Sequence, residues 1–207
     1  MNEAGGTRDR ILRSAAALFR QRGFNGASMQ DLAVVVGITK SSLYHHFPSK
    51  QALLSEILAN TVDRVTPALE AIAESDLPAC ERLRKAVSGH VVELIRDRDN
   101  VACFIEEGRF LSPDYMQTYI AKRDRYESYF RRIVEDGIAS GEFRATDVRL
   151  ASLAILGMCN WVARWYRPDG DHSPDEIATS FGNMAARGLM GGDRELVEPA
   201  TAGSEGR

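Results

Sequence analysis

The stretch Ser28 to Lys50, SMQDLAVVVGITKSSLYHHFPSK, leaves the chain the fewest choices. Ser28 is a strong N-cap, and Asp31 stands three residues on, where its carboxylate can reach back to the Ser28 amide as a capping box. Leu32, Val35 and Val36 follow at helical spacing. Gly37 ends this helix, because glycine takes the left-handed conformation at least cost. Thr39 caps the next helix, with Ile38 and Leu43 placed as a hydrophobic staple. That second helix must be short, since Pro48 bars helical geometry at Phe47. Ser49 then caps a third helix with Lys50 in its first turn.

The spacing puts Leu43 and Phe47 one turn apart on the inner side of the middle helix. Lys40, Ser41, Tyr44 and His45 take the outer side. A short helix gripped from below, with cationic, flat and hydrogen-bonding groups outward, suits a DNA major groove. The plain alternative is a helical hairpin with a solvated polar face.

SSLYHHFPSKQALL, with the upstream run ALFRQRGFNGASMQDLAVVVGI, resembles the recognition segment of the tetracycline-repressor (TetR/AcrR) family of bacterial transcription regulators. The likeness is strong over the first quarter of the chain and reaches the rest as an all-helical outline. It implies an all-α fold: an N-terminal three-helix helix–turn–helix DNA-binding domain, joined by a linking helix to a C-terminal helical ligand-binding and dimerisation domain. On this reading residues 1–48 bind DNA, 49–190 bind ligand and dimerise, and 191–207 are a disordered tail. Thr39, Lys40 and Ser41 are the candidates for base edges and nearby phosphates. Tyr44 and His45 would meet phosphate or base, and Lys50 with the Ser28–Gln30 helix start would fix the DNA backbone. Family members often carry an acid just after that lysine, where this chain has Gln51.

Charge distribution agrees with that division. Residues 1–50 carry a formal +4 and residues 51–207 carry −7, within a net −3. A basic front on an acidic body fits a local phosphate footprint. Upstream, Thr7 opens a helix whose stripe is Ile11, Ala15, Leu18 and Phe19; Gly23 ends it, and Phe24 folds back onto the core.

The body reads as helices throughout. The Ser49 helix runs past Leu58 toward Val62, with a break or kink before Pro67. Others span about 78–96, 101–110, 113–140 and 147–166. The last opens at Ser173 with Pro174 and Glu176, a full N-terminal signature. The 147–166 segment is apolar nearly all round, and the last helix carries Ala178, Gly182, Ala185, Ala186 and Gly188 among bulky residues. Surfaces of that kind need partners, supplied either by the chain's own core or across a two-fold interface, and the resemblance implies a homodimer through the last two long helices. Two copies related by a two-fold axis would read a palindromic double-stranded DNA operator.

A regulator needs an input, and the resemblance implies a small apolar or amphipathic effector. Phe104, Phe110, Tyr126, Trp161, Arg164 and Trp165 are the candidate ligand residues, with His90, Glu106, Glu107 and Arg123 as possible polar lining. Arginines beside aromatic rings suit an anionic head group, though Arg164 and Arg167 also suit a helix C-terminus. The run WVARWYRP resembles family members that sense acyl-CoA thioesters. No catalytic triad, phosphate-binding glycine loop or metal-ligand spacing is present, so neither an enzyme nor a cofactor is indicated. The three cysteines are far apart, and the longest apolar run, 153–159, is too short for a bilayer, so a cytoplasmic protein without membrane contact is expected. A helical module that binds a small molecule but no DNA is the rival reading.

Overall fold

The computed structural model describes residues 6–97 and 110–190. The helix expected at 101–110, apart from Phe110, and the tail from Gly191 lie outside the described residues. Within them the chain forms α1 (Thr7–Gly26), α2 (Met29–Val36), α3 (Lys40–His46), α4 (Lys50–Ala73), α5 (Ala79–Arg96), α6 (Pro113–Ala139), α7 (Val148–Asn160), α8 (Val162–Trp165) and α9 (Pro174–Leu189). None of these helices is long and apolar enough to cross a membrane.

The N-terminal unit forms as its caps dictate. Ile11, Ala15, Leu18 and Phe19 are all buried on α1. Gly23 kinks that helix at φ 71°, and Phe24 turns back edge-on to Phe19 with ring centres 5.4 Å apart. The Ser28–Asp31 capping box is complete, and Gly37 is left-handed at φ 75°. On α2 the buried residues are Met29, Leu32, Ala33 and Val36. Val35, expected on the inner stripe, is exposed with Val34. Positions 29, 32, 33 and 36 already complete the face that an eight-residue helix can bury, and Val35 falls to its side. Thr39 Oγ1 accepts from the Ser42 amide at 3.1 Å, and Ser49 Oγ from that of Ala52 at 3.0 Å.

Helix α4 does not break at Pro67 but runs through it for 24 residues. Proline withholds the N–H that the Asp63 carbonyl would accept. Asp63 is exposed, so water can serve that carbonyl, while Leu69 and Ala73 beyond the proline are buried and hold the helix to the body. Cross-links to α6 run along it: Lys122 pairs with Asp63, Tyr129 and Arg125 both reach Glu70, and Arg132 meets Glu74 at 3.2 Å.

Two apolar cores result. One joins α1, α2, α3 and the first turns of α4, through Leu53, Leu54, Ile57 and Leu58, and takes in Tyr119 of α6. The other joins α5, α6, α7 and α9 with Leu69 and Ala73 of α4. Helix α4 thus belongs to both, with Val62 packed against each.

On α5 the buried face includes Leu83, Val87, Val91, Leu94 and Ile95. Glu142 caps α5 by accepting from the Cys80 and Ala79 amides, which hold its carboxyl below the usual range. The small residues of α9 serve inside the chain. Ala178, Gly182, Ala185 and Ala186 are buried, and a Cβ on Gly182 would stand 2.9 Å from the Arg84 carbonyl of α5. The segment expected as one helix from 147 to 166 divides at Trp161, where a tighter turn (Arg164 N–H to Trp161 O, 3.0 Å) separates α7 from α8. One face of α7 is buried through Ser152, Ile155 and Cys159. On the other, Leu150 (64%), Leu153 (44%) and Trp161 (65%) remain exposed, with Met184 of α9.

Candidate nucleic-acid interface and effector cavity

Helix α3 is seven residues long, with Leu43 buried within it and Phe47 buried at its C-cap. The Arg8 guanidinium roofs the Phe47 ring at 4.3 Å and donates to the His46 carbonyl. Thr39, Lys40, Ser41, Tyr44 and His45 are all exposed, and the Lys40 ammonium lies 5.9 Å from the Tyr44 ring centre. A shallow cleft beside α3 gathers Ser28, Gln30, Lys40, Tyr44 and Lys50. Thr39, Ser41 and His45 lie outside its lining. Asn25 and Pro48 share it and are not among the DNA-contact candidates; a polar residue two beyond the Gly23 kink is a weak signal.

Lys50 carries a duty that spacing alone does not reveal. Its ammonium donates to the carbonyls of Phe24 (2.5 Å) and Ala27 (2.8 Å) and sits 4.3 Å over the Phe24 ring. It therefore ties the end of α1 to the start of α4, closing the floor of the cleft. Gln51, where the family often has an acid, accepts from the Ser112 amide at 2.9 Å and so ties α4 to the start of α6.

The body holds a second concavity, a cavity of about 560 Å³ among α4, α5, α6 and α7. Leu58, Val62, Val65, Leu94, Leu153 and Leu156 supply apolar wall, and Arg64, Arg123, Arg131 and Arg149 bring cations. Of the candidate ligand residues, Tyr126 lines it, as do His90 and Arg123. Phe110 instead stacks on Phe24 at 5.7 Å, in the N-terminal unit. Trp161, Arg164 and Trp165 are exposed and outside the lining. Phe104, Glu106 and Glu107 lie outside the described residues.

Inside, His90 Nδ1 is 2.9 Å from the Tyr126 hydroxyl, and Nε2 is 3.1 Å from Asn160 Oδ1. Burial lowers the His90 pKa from 6.5 to about 4, with the Asn160 bond opposing. The unfolded chain therefore takes a proton that the folded one refuses. The stability this contributes is complete above pH 6.5 and is lost as pH falls toward 4, roughly 2 kcal/mol by pH 5. The carboxylates held low, such as Asp31 and Glu176, lose their contribution only below their ordinary values near 4. The melting midpoint should therefore drop between pH 7 and pH 5, and a His90→Gln variant should show less than half of that drop.

The comparisons with known proteins fall on this frame. Residues 11–57 match the family model described as bacterial regulatory proteins, tetR family, and residues 76–189 match the tetracyclin repressor-like C-terminal domain. The chain belongs to the tetR family. It is a DNA-binding transcriptional regulator and not an enzyme. It is 32% identical to the HTH-type transcriptional repressor KstR2 of Rhodococcus jostii, over 89% of this chain and 91% of that one. Among solved structures it is similar to PfmR, a TetR-family transcriptional regulator of Thermus thermophilus (37% identity, 86% of this chain and 98% of that one, TM-score 0.81). It is also similar to AibR in complex with isovaleryl coenzyme A and operator DNA (26% identity, 86% and 97%, TM-score 0.78).

Proposed function

We propose that the protein is a homodimeric cytoplasmic repressor that holds a palindromic operator and releases it when a small amphipathic molecule enters the cavity. The observation that carries this reading is a shared wall. Leu58 and Tyr119 belong to the N-terminal core and also line the cavity. A ligand that displaces either one pushes on the packing that orients α3, so the two sites meet through packed side chains along α4 and α6.

In this scheme Lys40, Ser41 and Thr39 enter the groove, Tyr44 and His45 flank them, and Ser28 and Gln30 take phosphate. Lys50 supports them from behind. The exposed stripe Leu150 and Trp161, with Trp165 and Met184, is the two-fold face, and Leu153 stands at its border with the cavity, so the tryptophans are assigned to the dimer and Tyr126 to the effector. Acyl-CoA thioesters are the first effector class to test, since AibR is described with isovaleryl coenzyme A. Moving the chain from mostly bound to mostly released needs on the order of 5 kcal/mol of differential affinity.

The test is fluorescence anisotropy on the DNA flanking its own gene. Wild type should bind with a salt-dependent affinity, and a set of short- to medium-chain acyl-CoA thioesters should be screened for release. Lys40→Ala with Tyr44→Ala should weaken binding at least tenfold while leaving the melting midpoint alone. Tight effector binding with no DNA affinity at any salt would instead favour a small-molecule-binding module.

A further inference from the structure

Three polar groups on the cavity wall, the buried Tyr126, the half-buried His90 and the exposed Asn160, form a chain with a definite hydrogen-bonding capacity. A neutral imidazole has one donor and one acceptor nitrogen. If Asn160 Oδ1 accepts from Nε2–H, then Nδ1 accepts from the Tyr126 hydroxyl. The Asn160 amide hydrogens and the Tyr126 oxygen lone pairs are then left over. Turning the Asn160 amide reverses every bond and leaves the Asn160 carbonyl oxygen and the Tyr126 hydroxyl hydrogen instead. Either way the chain keeps one donor and one acceptor to offer, and no charge. Neither Tyr126 nor Asn160 has another hydrogen-bond partner among the described residues.

The cations divide differently. Arg64 is paired with Asp97 at 2.5 Å, Arg123 with Asp124 at 2.8 Å and Arg131 with Glu127 at 3.5 Å, while the acidic Glu93 is met by Arg96 at 2.6 Å. Arg149 has no ion pair or hydrogen-bond partner among the described residues, and it is exposed at the cavity rim. Arg149 and Asn160 stand near opposite ends of α7, about 16 Å apart at ~1.5 Å per residue.

We infer that the cavity selects an elongated amphipathic anion with a second, uncharged oxygen function at its far end: Arg149 meets the charge, and the His90–Tyr126–Asn160 chain reads a hydroxyl or ketone. This rests on the cavity being the effector site proposed above. His90 is the positioning residue, since it fixes the two groups that would touch the ligand. An apolar tip lying against the chain would take water from its spare donor and acceptor and return no hydrogen bond, so the oxygen function is what the site discriminates.

The experiment is calorimetric titration of the full chain with 10-hydroxydecanoate and with decanoate. Wild type should bind the hydroxy acid about three- to tenfold more tightly, the gain of one net hydrogen bond. In Asn160→Leu and in Tyr126→Phe, each checked for an unchanged helical signal, the preference should vanish or reverse. Arg149→Gln should weaken both probes equally, and Leu156→Trp should exclude both by filling the cavity. Equal affinity of wild type for the two probes would overturn this inference and leave the cavity reading standing. Binding of neither probe, or binding that survives Leu156→Trp, would overturn both.

Discussion

Glutamate placed at Leu150 and Trp161 together should yield a folded monomer whose operator affinity has dropped by about 10²–10⁴-fold. Both side chains are roughly two-thirds exposed in the single chain, so their replacement removes little packing and should shift stability by no more than about 0.5 kcal/mol. The body keeps its own core through Leu83, Val87, Phe130 and Ile133, all fully buried without a second copy. What changes is the proposed face between copies. In a two-fold contact each residue lies near its own symmetry mate, so a new carboxylate brings like charge against like charge as well as losing apolar contact. Operator binding suffers because the second half-site is then no longer held close by the first; the lost factor is the avidity of two linked modules. Light scattering should report half the wild-type mass, and anisotropy should report weak residual binding with about half the salt slope. A double variant that stayed dimeric would place the contact elsewhere on the body.

Much of this architecture was legible because it is local. The Ser28–Asp31 and Ser173–Glu176 boxes, the left-handed Gly37 and the inward pair Leu43 and Phe47 each depend on residues within one or two turns. The misreadings were tertiary. Pro67 argued for a break or kink, yet packing of Leu69 and Ala73 into the body carries α4 through it as one helix. The small residues of α9 left a surface between copies and a core contact equally open, and only the fold shows that Gly182 lets α9 close onto α5 of its own chain. Lys50 was legible as a cation near the groove, but not as the bond between α1 and α4, because its acceptors lie 23 and 26 residues away. The cavity was least legible of all. His90, Tyr126 and Asn160 come from three helices, and nothing in their individual spacing shows that they meet.

Phe47→Ala should cost about 3–5 kcal/mol, a large part of the 5–15 kcal/mol that holds a typical domain, and should silence DNA binding through the helix it anchors. A seven-residue helix has no independent stability in water. Helix α3 is held from beneath by two buried side chains, Leu43 within it and Phe47 at its end. Removing the ring also strips Arg8 of the surface it covers. Hydrogen exchange should show α3 losing protection first, and the body helices should stay protected, since their core does not include Phe47. Phe47→Leu should recover more than half of the lost stability by refilling most of the volume. Tyr44→Ala gives the contrast: the ring is exposed, so stability should stay within about 0.5 kcal/mol of wild type while operator affinity falls. The two variants share a helix and lose the same function, one by releasing the helix and the other by blunting its outer face. If Phe47→Ala bound operator as wild type does, the grip of Leu43 and Phe47 would not be what aims α3.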